Sequence, residues 1–289
     1  MSLDLDLSCP ACAAEALADD EFCEHCGTPL GLMDDAARNH VEVRIGSGVG
    51  AVSDRGLVHR RNEDAVFVAT TGAVAVAVVC DGVSASAAAH VASAVAAASV
   101  GDALVEGAPM SDALAAGAAT VQTVPWMATG AKDAPSCTVV ALRWDGVDAT
   151  IGWAGDSRAY WVDAGGAWGL TIDHSWAREQ VDAGVMTSAD AEADGRAHAI
   201  TRWLGADAPT AEAAVIAFRP PGAGRIVLCT DGLWNLVTID SLARVVHDAD
   251  ATAPAVAAAL TRLALARGGH DNVTVAVVDV PGGNEEATT

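Results

Sequence analysis

The chain has 289 residues, of which 52% are hydrophobic, and it carries a formal net charge of −22. This length and composition are typical of a globular protein with one substantial core, and they exclude a disordered chain. Acidic residues outnumber basic ones by 38 to 16, and an electrostatic field of this sign repels nucleic acid. We therefore expect no nucleic-acid partner.

No apolar run reaches the roughly 18–20 residues that a membrane-spanning helix requires. The first residues, MSLDLDLS, are acidic and lack the basic segment with which a signal peptide begins. The sequence therefore predicts a cytoplasmic protein without a membrane partner.

Four of the seven cysteines lie near the start of the chain, as two CxxC pairs formed by Cys9 with Cys12 and by Cys23 with Cys26. In a cytoplasmic chain this spacing predicts one structural Zn²⁺ held by four thiolates, and the metal would supply most of the folding energy. The element resembles a zinc ribbon, which usually binds a partner, so we expect a protein partner here. The alternative is four free cysteines on an unfolded tail.

Composition divides the chain into four parts. Residues 1–30 form the zinc ribbon, residues 31–44 form a polar linker, and residues 45–281 form the main domain. The last segment, residues 282–289, has no apolar periodicity and is predicted to be a flexible tail.

Short apolar runs rich in β-branched residues predict strands in the main domain, over residues 65–70, 73–80, 137–143, 148–154, 158–162, 225–229 and 272–279. Stretches of helix-forming composition predict helices, over residues 86–105, 111–123, 240–248 and 253–267. Two helices follow the first two strands in succession, and the next three strands are joined without helices. This order argues against a doubly wound parallel sheet and predicts an α+β fold, in which helices cover antiparallel sheets.

Acidic residues stand at the ends of five predicted strands. Asp64 and Asp271 precede strands, whereas Asp81, Asp156 and Asp231 follow an apolar run or lie in a turn between two. Clustered carboxylates repel one another, and divalent cations with oxygen ligands relieve that repulsion. Turns and helix caps would explain any one of these residues, but five in this placement predict Mg²⁺ or Mn²⁺ rather than zinc.

Seven segments of the main domain form an ordered series, namely NEDAV, CDGVSASAAAHVAS, SCTVVAL, AGDSRAYW, ITRWLG, CTDGLWN and HDNVTVAVV. The series resembles that of the metal-dependent protein phosphatases of the protein phosphatase 2C type, and it covers about residues 46–280. The resemblance implies a four-layer sandwich of two central antiparallel sheets flanked by helices. It also implies hydrolysis of phosphoserine and phosphothreonine in phosphorylated proteins, by attack of a water that two metal ions activate.

The resemblance also implies a set of metal ligands. Asp81 would bridge two ions, the main-chain carbonyl of Gly82 would contact one of them, and Asp231 and Asp271 would complete the direct ligands. We expect Asp81 and Asp231 to be catalytic residues on this ground.

Three further acids belong to the same implied site. Glu63 and Asp64 would take part in it, in part through bound water, and Asp64 is the third acid that we expect to be catalytic. Asp156 matches an acid that helps to hold a third metal ion in bacterial members of the family.

The segment GLVHRRNEDAV departs from the family at the residue that holds the phosphate. The family usually has an arginine five residues before the aspartate of its ED pair, whereas this chain has His59, followed by Arg60 and Arg61. A histidine is only partly charged at neutral pH and lacks the bidentate fork of arginine. We expect His59, helped by Arg60 or Arg61, to hold the phosphate more weakly; the alternative is a surface histidine in a loop.

Two further regions leave alternatives open. The residues after Gly82 contain no histidine in the position of the general acid that animal members have, so that role is unassigned. Residues 173–206 match a variable flap beside the active site. We interpret its acids as a solvated face, and the alternative is that Asp190 or Asp194 binds a metal.

Two rival functions are weighed against an active phosphatase. The main rival is a phosphatase fold that binds a phosphorylated partner without turnover. A nuclease is disfavoured by the negative charge of the chain.

Overall fold

The computed structural model of the protein describes residues 39–126, 133–208, 213–247 and 251–282, together with two short strands near the start of the chain. Those strands, β1 (Leu7–Ser8) and β2 (Glu15–Ala16), pair antiparallel. The four predicted zinc ligands, Cys9, Cys12, Cys23 and Cys26, lie outside the described residues, as do residues 31–38 of the predicted linker and all but the first residue of the predicted tail.

Most strands of the main domain lie where the apolar runs predict them, within three residues. The strands are β3 (His40–Ile45), β4 (Val49–Asp54), β5 (Ala65–Thr71), β6 (Val74–Cys80), β7 (Ser136–Cys137), β8 (Val139–Trp144), β9 (Ala149–Ala154), β10 (Arg158–Asp163), β11 (Gly166–Gly169), β12 (Leu204–Gly205), β13 (Ala214–Phe218), β14 (Gly224–Cys229) and β15 (Val273–Val280).

The four predicted helices are present, and three short ones join them. The helices are α1 (Ala89–Val105), α2 (Met110–Gln122), α3 (Trp176–Asp182), α4 (Ser188–Glu192), α5 (Asp231–Trp234), α6 (Ile239–Val246) and α7 (Ala253–Ala266). Among the described helices, none combines the length and the apolar character needed to cross a lipid bilayer.

Two antiparallel sheets form the centre of the domain. Six strands pair in the order β11–β10–β14–β15–β4–β3, and five pair in the order β13–β9–β8–β6–β5. The short strands β7 and β12 pair separately, with Cys137 opposite Leu204. This last pairing ties the end of the flap (residues 173–206) to the strand that leads into β8.

Three hydrophobic clusters establish the order of the layers. One lies between the two sheets and includes Leu142, Ile151 and Leu228. A second joins the six-stranded sheet to α6 and α7 and includes Leu260, and a third joins the five-stranded sheet to α1 and α2 and includes Leu104. Burial of apolar surface on both faces of each sheet therefore produces the helix–sheet–sheet–helix sandwich that was predicted.

The apolar runs did not predict β3, β11 and β13, which lie at sheet edges, or the short strand β12 and the interior strand β4. Residues 40–44, which were assigned to the linker, form most of β3, which pairs with β4 from His40 opposite Asp54 to Ile45 opposite Val49. The side chains of β3 alternate between exposed and partly buried, so that charged residues interrupt its apolar ones. An edge strand of this kind has the composition of a polar connector, and the described part of the main domain begins before residue 45.

Candidate active site

Acids from both sheets meet at one end of the sandwich. Asp64 precedes β5 and Asp81 follows β6 in the five-stranded sheet, whereas Asp156 precedes β10 and Asp231 follows β14 in the six-stranded sheet. Antiparallel neighbours start and end at the same edge of a sheet, so residues far apart in sequence converge there. The structure therefore places Asp64, Asp81, Asp156 and Asp231 close enough for their charges to interact.

Asp64 has one carboxylate oxygen that is buried without a hydrogen-bond partner among the described residues. The residue is 8% exposed, and its Oδ2 accepts a hydrogen bond of 2.9 Å from the Thr230 hydroxyl. Its Oδ1 is buried and has no hydrogen-bond partner among the described residues. Burial raises the pKa of Asp64 to about 8, and repulsion from Asp231 and Asp271 adds to the shift.

The main chain fixes Asp81 at the end of β6. Its N–H donates to the Thr138 hydroxyl at 3.3 Å, and its carbonyl accepts from the Thr138 N–H at 2.8 Å. Burial raises its pKa well above the ordinary value, and the charges of Asp64 and Asp231 raise it further. The next residue must be glycine, because a Cβ atom on Gly82 would lie 2.6 Å from the Glu63 carbonyl oxygen.

Asp231 begins α5 and lies beside Asp81. Burial and repulsion from Asp271 raise the pKa of Asp231 to about 6, and a hydrogen bond with Asp81 opposes that shift. Gly232 allows the close approach of β15, because a Cβ atom there would lie 1.8 Å from the Asn272 carbonyl oxygen. The sharp turn after β14 therefore depends on glycine.

Asp156 and Asp271 are the remaining acids of the site, and they differ in their exposure to solvent. Asp156 is 7% exposed, and burial followed by repulsion from Asp231 and Asp173 raises its pKa to about 7. Its carbonyl accepts a 3.0 Å hydrogen bond from the indole N–H of Trp234, which ties the turn before β10 to α5. The Asp271 side chain is 47% exposed, so it lies at the rim of the site.

Asn272 holds the loop that carries Glu63, and the sequence analysis did not select it. Its side-chain N–H groups donate to the carbonyls of Arg55 at 2.7 Å and Arg61 at 3.1 Å. Its Oδ1 accepts from the Glu63 N–H at 2.7 Å. The only signal in the sequence was its place in the HDN segment, next to Asp271.

His59 and the two arginines after it, one of which was expected to help hold the phosphate, have different surroundings in the structure. The His59 ring nitrogen Nε2 lies 3.3 Å from Asp271 Oδ1, and the ring is 32% exposed. Arg61 reaches the ring of His90 on α1 at 3.3 Å, and Arg60 is exposed. His59 therefore lies at the rim of the carboxylates, whereas Arg61 points toward α1.

The described side chains of the site carry the donor atoms that a hard divalent cation prefers, but they do not surround a position where one ion could bind. Among the described residues, no group of three or more His, Cys, Asp or Glu side chains is arranged to hold one ion. The acids nevertheless interact strongly enough to raise one another's pKa values. They offer only oxygen donors, which Mg²⁺ and Mn²⁺ prefer, and a buried acceptor without a partner such as Asp64 Oδ1 is costly. Binding would therefore require movement of the side chains toward the ion.

Two acids of the flap have partners within the flap itself. Asp194 pairs with Arg196 at 2.9 Å, and Asp190 accepts a 2.7 Å hydrogen bond from Thr187, the residue that caps α4. Asp190 is exposed and Asp194 is partly exposed, which agrees with the expectation of a solvated face. His198 of the flap was not selected from the sequence, yet its charge lowers the pKa of Asp231.

Comparison with known proteins relates the chain to one group of enzymes. No protein-family model matches the sequence. The chain is 32% identical over 244 residues to the serine/threonine protein phosphatase PstP of Mycobacterium tuberculosis, a match that covers 80% of this chain and 44% of PstP. The chain spans about half the length of the curated relatives it matches.

Solved structures share the fold. The catalytic domain of PstP in complex with two manganese ions is 28% identical, with a TM-score of 0.64, and the match covers 81% of this chain and 97% of that one. The serine/threonine phosphatase Stp1 of Staphylococcus aureus is 22% identical, with a TM-score of 0.72 and coverage of 84% and 98%. The chain therefore resembles the PP2C-type serine/threonine protein phosphatases in sequence over the matched part and in fold.

Proposed function

We propose that the chain is a metal-dependent protein phosphatase that hydrolyses phosphoserine and phosphothreonine in protein substrates. The observation that carries the proposal is a set of carboxylates whose pKa values are raised by burial and by one another, of which two are buried (Asp64 and Asp156) and two half-buried (Asp81 and Asp231). Burying such a set is unfavourable unless cations accompany it. The relatives named as serine/threonine phosphatases, one of them solved with two manganese ions, support the same assignment.

The ligand set follows from the same residues. Asp81, Asp231, Asp271 and the Gly82 carbonyl would hold two Mn²⁺ or Mg²⁺ ions directly, together with Asp64, whose Oδ1 lacks a partner. Bound divalent ions supply Lewis acidity, which lowers the pKa of water and neutralises charge on phosphoryl oxygens.

Two acids have supporting positions in this proposal. Glu63 would contribute through bound water, because its main chain is held at the site by Asn272. Asp156 would contribute to a third ion at the side of the site that faces the flap.

The surrounding residues position the acids before any substrate arrives. The Thr230 hydroxyl donates to one oxygen of Asp64 and leaves the other oxygen available. Thr138 fixes the main chain of Asp81 from both sides. A scaffold fixed in this way lowers the cost of reorganisation during the reaction.

His59 would bind the phosphate of the substrate. The ring lies at the rim, next to Asp271, where its Nε2–H can donate to a phosphoryl oxygen. The same contact favours the rival function, a phosphatase fold that binds a phosphorylated partner without turnover, because Asp271 competes with the phosphate for His59. No residue is assigned as the general acid.

The N-terminal segment would form a zinc ribbon that binds a protein partner. The pairing of β1 with β2 supports this, because the first CxxC pair lies between these strands in the sequence. The cytoplasmic location and the lack of a nucleic-acid partner remain predictions from the sequence.

The first prediction concerns catalysis. We expect the chain to hydrolyse a phosphothreonine peptide with Mn²⁺ and to lose activity in EDTA. Asp231→Asn should lower kcat/KM by at least about a hundredfold, because it removes charge that holds the metal. The control is Asp102→Asn on the exposed face of α1, which should leave kcat/KM unchanged. Turnover that persists in EDTA and in Asp231→Asn would refute the proposal, and Mn²⁺ binding without turnover would favour the rival function.

The second prediction concerns His59. We expect His59→Arg to lower KM for the phosphopeptide by about three- to tenfold, because arginine is always charged and binds phosphate through two hydrogen bonds. His247→Arg, the same substitution at an exposed position after α6, should leave KM as it is. If KM is unchanged in His59→Arg, His59 does not hold the phosphate.

The third prediction concerns the pH dependence of the metal-free protein. Asp156 has a pKa of about 7 in the folded state and about 4 in the unfolded chain. The folded state therefore keeps a proton that the unfolded state has lost, and the free energy of unfolding falls as the pH rises from about 4 to about 7.

Asp156→Asn removes this titration. In EDTA we expect it to be more stable than wild type by on the order of 2 kcal/mol at pH 8, with a much smaller difference at pH 4. Urea unfolding at pH 4 and pH 8 measures the difference in free energy of unfolding between Asp156→Asn and wild type. A difference that is the same at both pH values would contradict the raised pKa of Asp156.

The fourth prediction concerns zinc. The purified chain should contain one equivalent of zinc by elemental analysis, and Cys9→Ser with Cys23→Ser should abolish it because two of four thiolates are lost. Cys229→Ser, at a buried cysteine of β14, is the control and should keep the zinc. Zinc retained by the double variant would rule out the ribbon.

A further inference from the structure

A cavity of about 570 Å³ lies beside the carboxylate cluster, and we call it the flap cavity. Its lining includes Asp156 and Trp234, together with residues of the flap helices α3 and α4. The volume is within the range of ligand sites in proteins. Of its lining residues, the proposed mechanism uses Asp156 alone, so the rest of the cavity has no assigned role.

Part of the wall is apolar and exposed to solvent. Ile172 and Ile239 both line the cavity, and they are 52% and 41% exposed. Val181 and Trp234 extend this surface. A wall of this kind suits the methylene groups of a long side chain, which lose contact with water when they lie against it.

The two arginines that line the cavity already have carboxylate partners. Arg158 donates to both oxygens of Asp173 at 2.8 and 2.6 Å, and its guanidinium lies 3.6 Å from the centre of the Trp234 ring. Arg178 pairs with Asp182, four residues along α3, at 2.8 Å. Both positive charges are therefore neutralised within the protein.

The acids of the wall are not all neutralised. Glu192, the last residue of α4, lines the cavity and is exposed. Within the part of the chain that the structure describes, its carboxylate has no ion pair or hydrogen bond. Asp173 is paired with Arg158, and Asp156 belongs to the proposed metal site, so Glu192 is the carboxylate of the wall that is left to meet a cation.

We propose that the flap cavity binds a cationic side chain, arginine or lysine, of the protein substrate near its phosphorylated residue. Glu192 would be the partner of the cationic group, and the apolar wall would cover the aliphatic part of the side chain. This inference rests on the proposed phosphatase function and assigns the class of substrate. An acidic substrate side chain would instead meet Glu192, and both arginines of the wall are already paired.

The test compares phosphothreonine peptides that differ at one residue. Each position next to the phosphothreonine is occupied in turn by arginine, serine or glutamate, and kcat/KM is measured with Mn²⁺. At the position that reaches the cavity, we expect the wild type to prefer arginine over serine by about fivefold, as for a partly exposed ion pair. In Glu192→Gln, the ratio of the two kcat/KM values should fall to about one.

Two further variants sharpen the test. Glu179→Gln removes the same charge from the same flap at an exposed position outside the cavity, and it should keep the wild-type preference for arginine. Glu192→Arg should reverse the preference, so that the glutamate peptide becomes the better substrate. A change in the arginine-to-serine ratio cannot come from a general loss of folded protein, because both peptides are measured on the same sample.

The outcomes separate this inference from the proposed function. If the wild type hydrolyses p-nitrophenyl phosphate with Mn²⁺ but has no preference for arginine, or if Glu192→Gln keeps that preference, the flap cavity does not select cationic side chains. If the wild type hydrolyses neither p-nitrophenyl phosphate nor any peptide, the phosphatase function itself fails, and the inference fails with it.

Discussion

The removal of several carboxylates from water at one end of the sandwich is the constraint on which this structure depends. Asp64, Asp81 and Asp231 are brought together at one end of the sandwich, and burial and repulsion raise the pKa of each of them. The apolar layers supply the stability that holds such an arrangement in the absence of cations. A site of this kind binds divalent cations because they relieve the repulsion that the fold imposes.

The scaffold around the acids consists of close main-chain contacts and neutral hydrogen bonds. Gly82 and Gly232 allow separate segments to approach more closely than any side chain would permit. Asn272 links the loop before β5 to the start of β15 through three hydrogen bonds. These groups carry no charge, so they fix the positions of the acids without neutralising them. The negative character of the site continues into the flap cavity, where Glu192 remains unpaired within the described residues.

The structural features that could be predicted from the sequence are those encoded within short segments of it. Apolar runs located most of the buried strands, with the exception of β4. Acids at the ends of these runs located the candidate site, because a buried strand and its end both lie within one short segment of sequence. The strand β3 was missed because charged residues alternate with apolar ones along it. The role of Asn272, the pair of Arg158 with Asp173 and the contact of His59 with Asp271 depend on residues distant in sequence, and no local pattern predicts such contacts.

The central claim is that the carboxylate cluster binds divalent metal ions. The most direct measurement is anomalous diffraction at the manganese absorption edge, from crystals of the full chain grown with Mn²⁺. Two strong peaks should appear among Asp64, Asp81 and Asp231, each within the coordination distance of carboxylate oxygens. Manganese-saturated crystals without a peak among these residues would contradict the account.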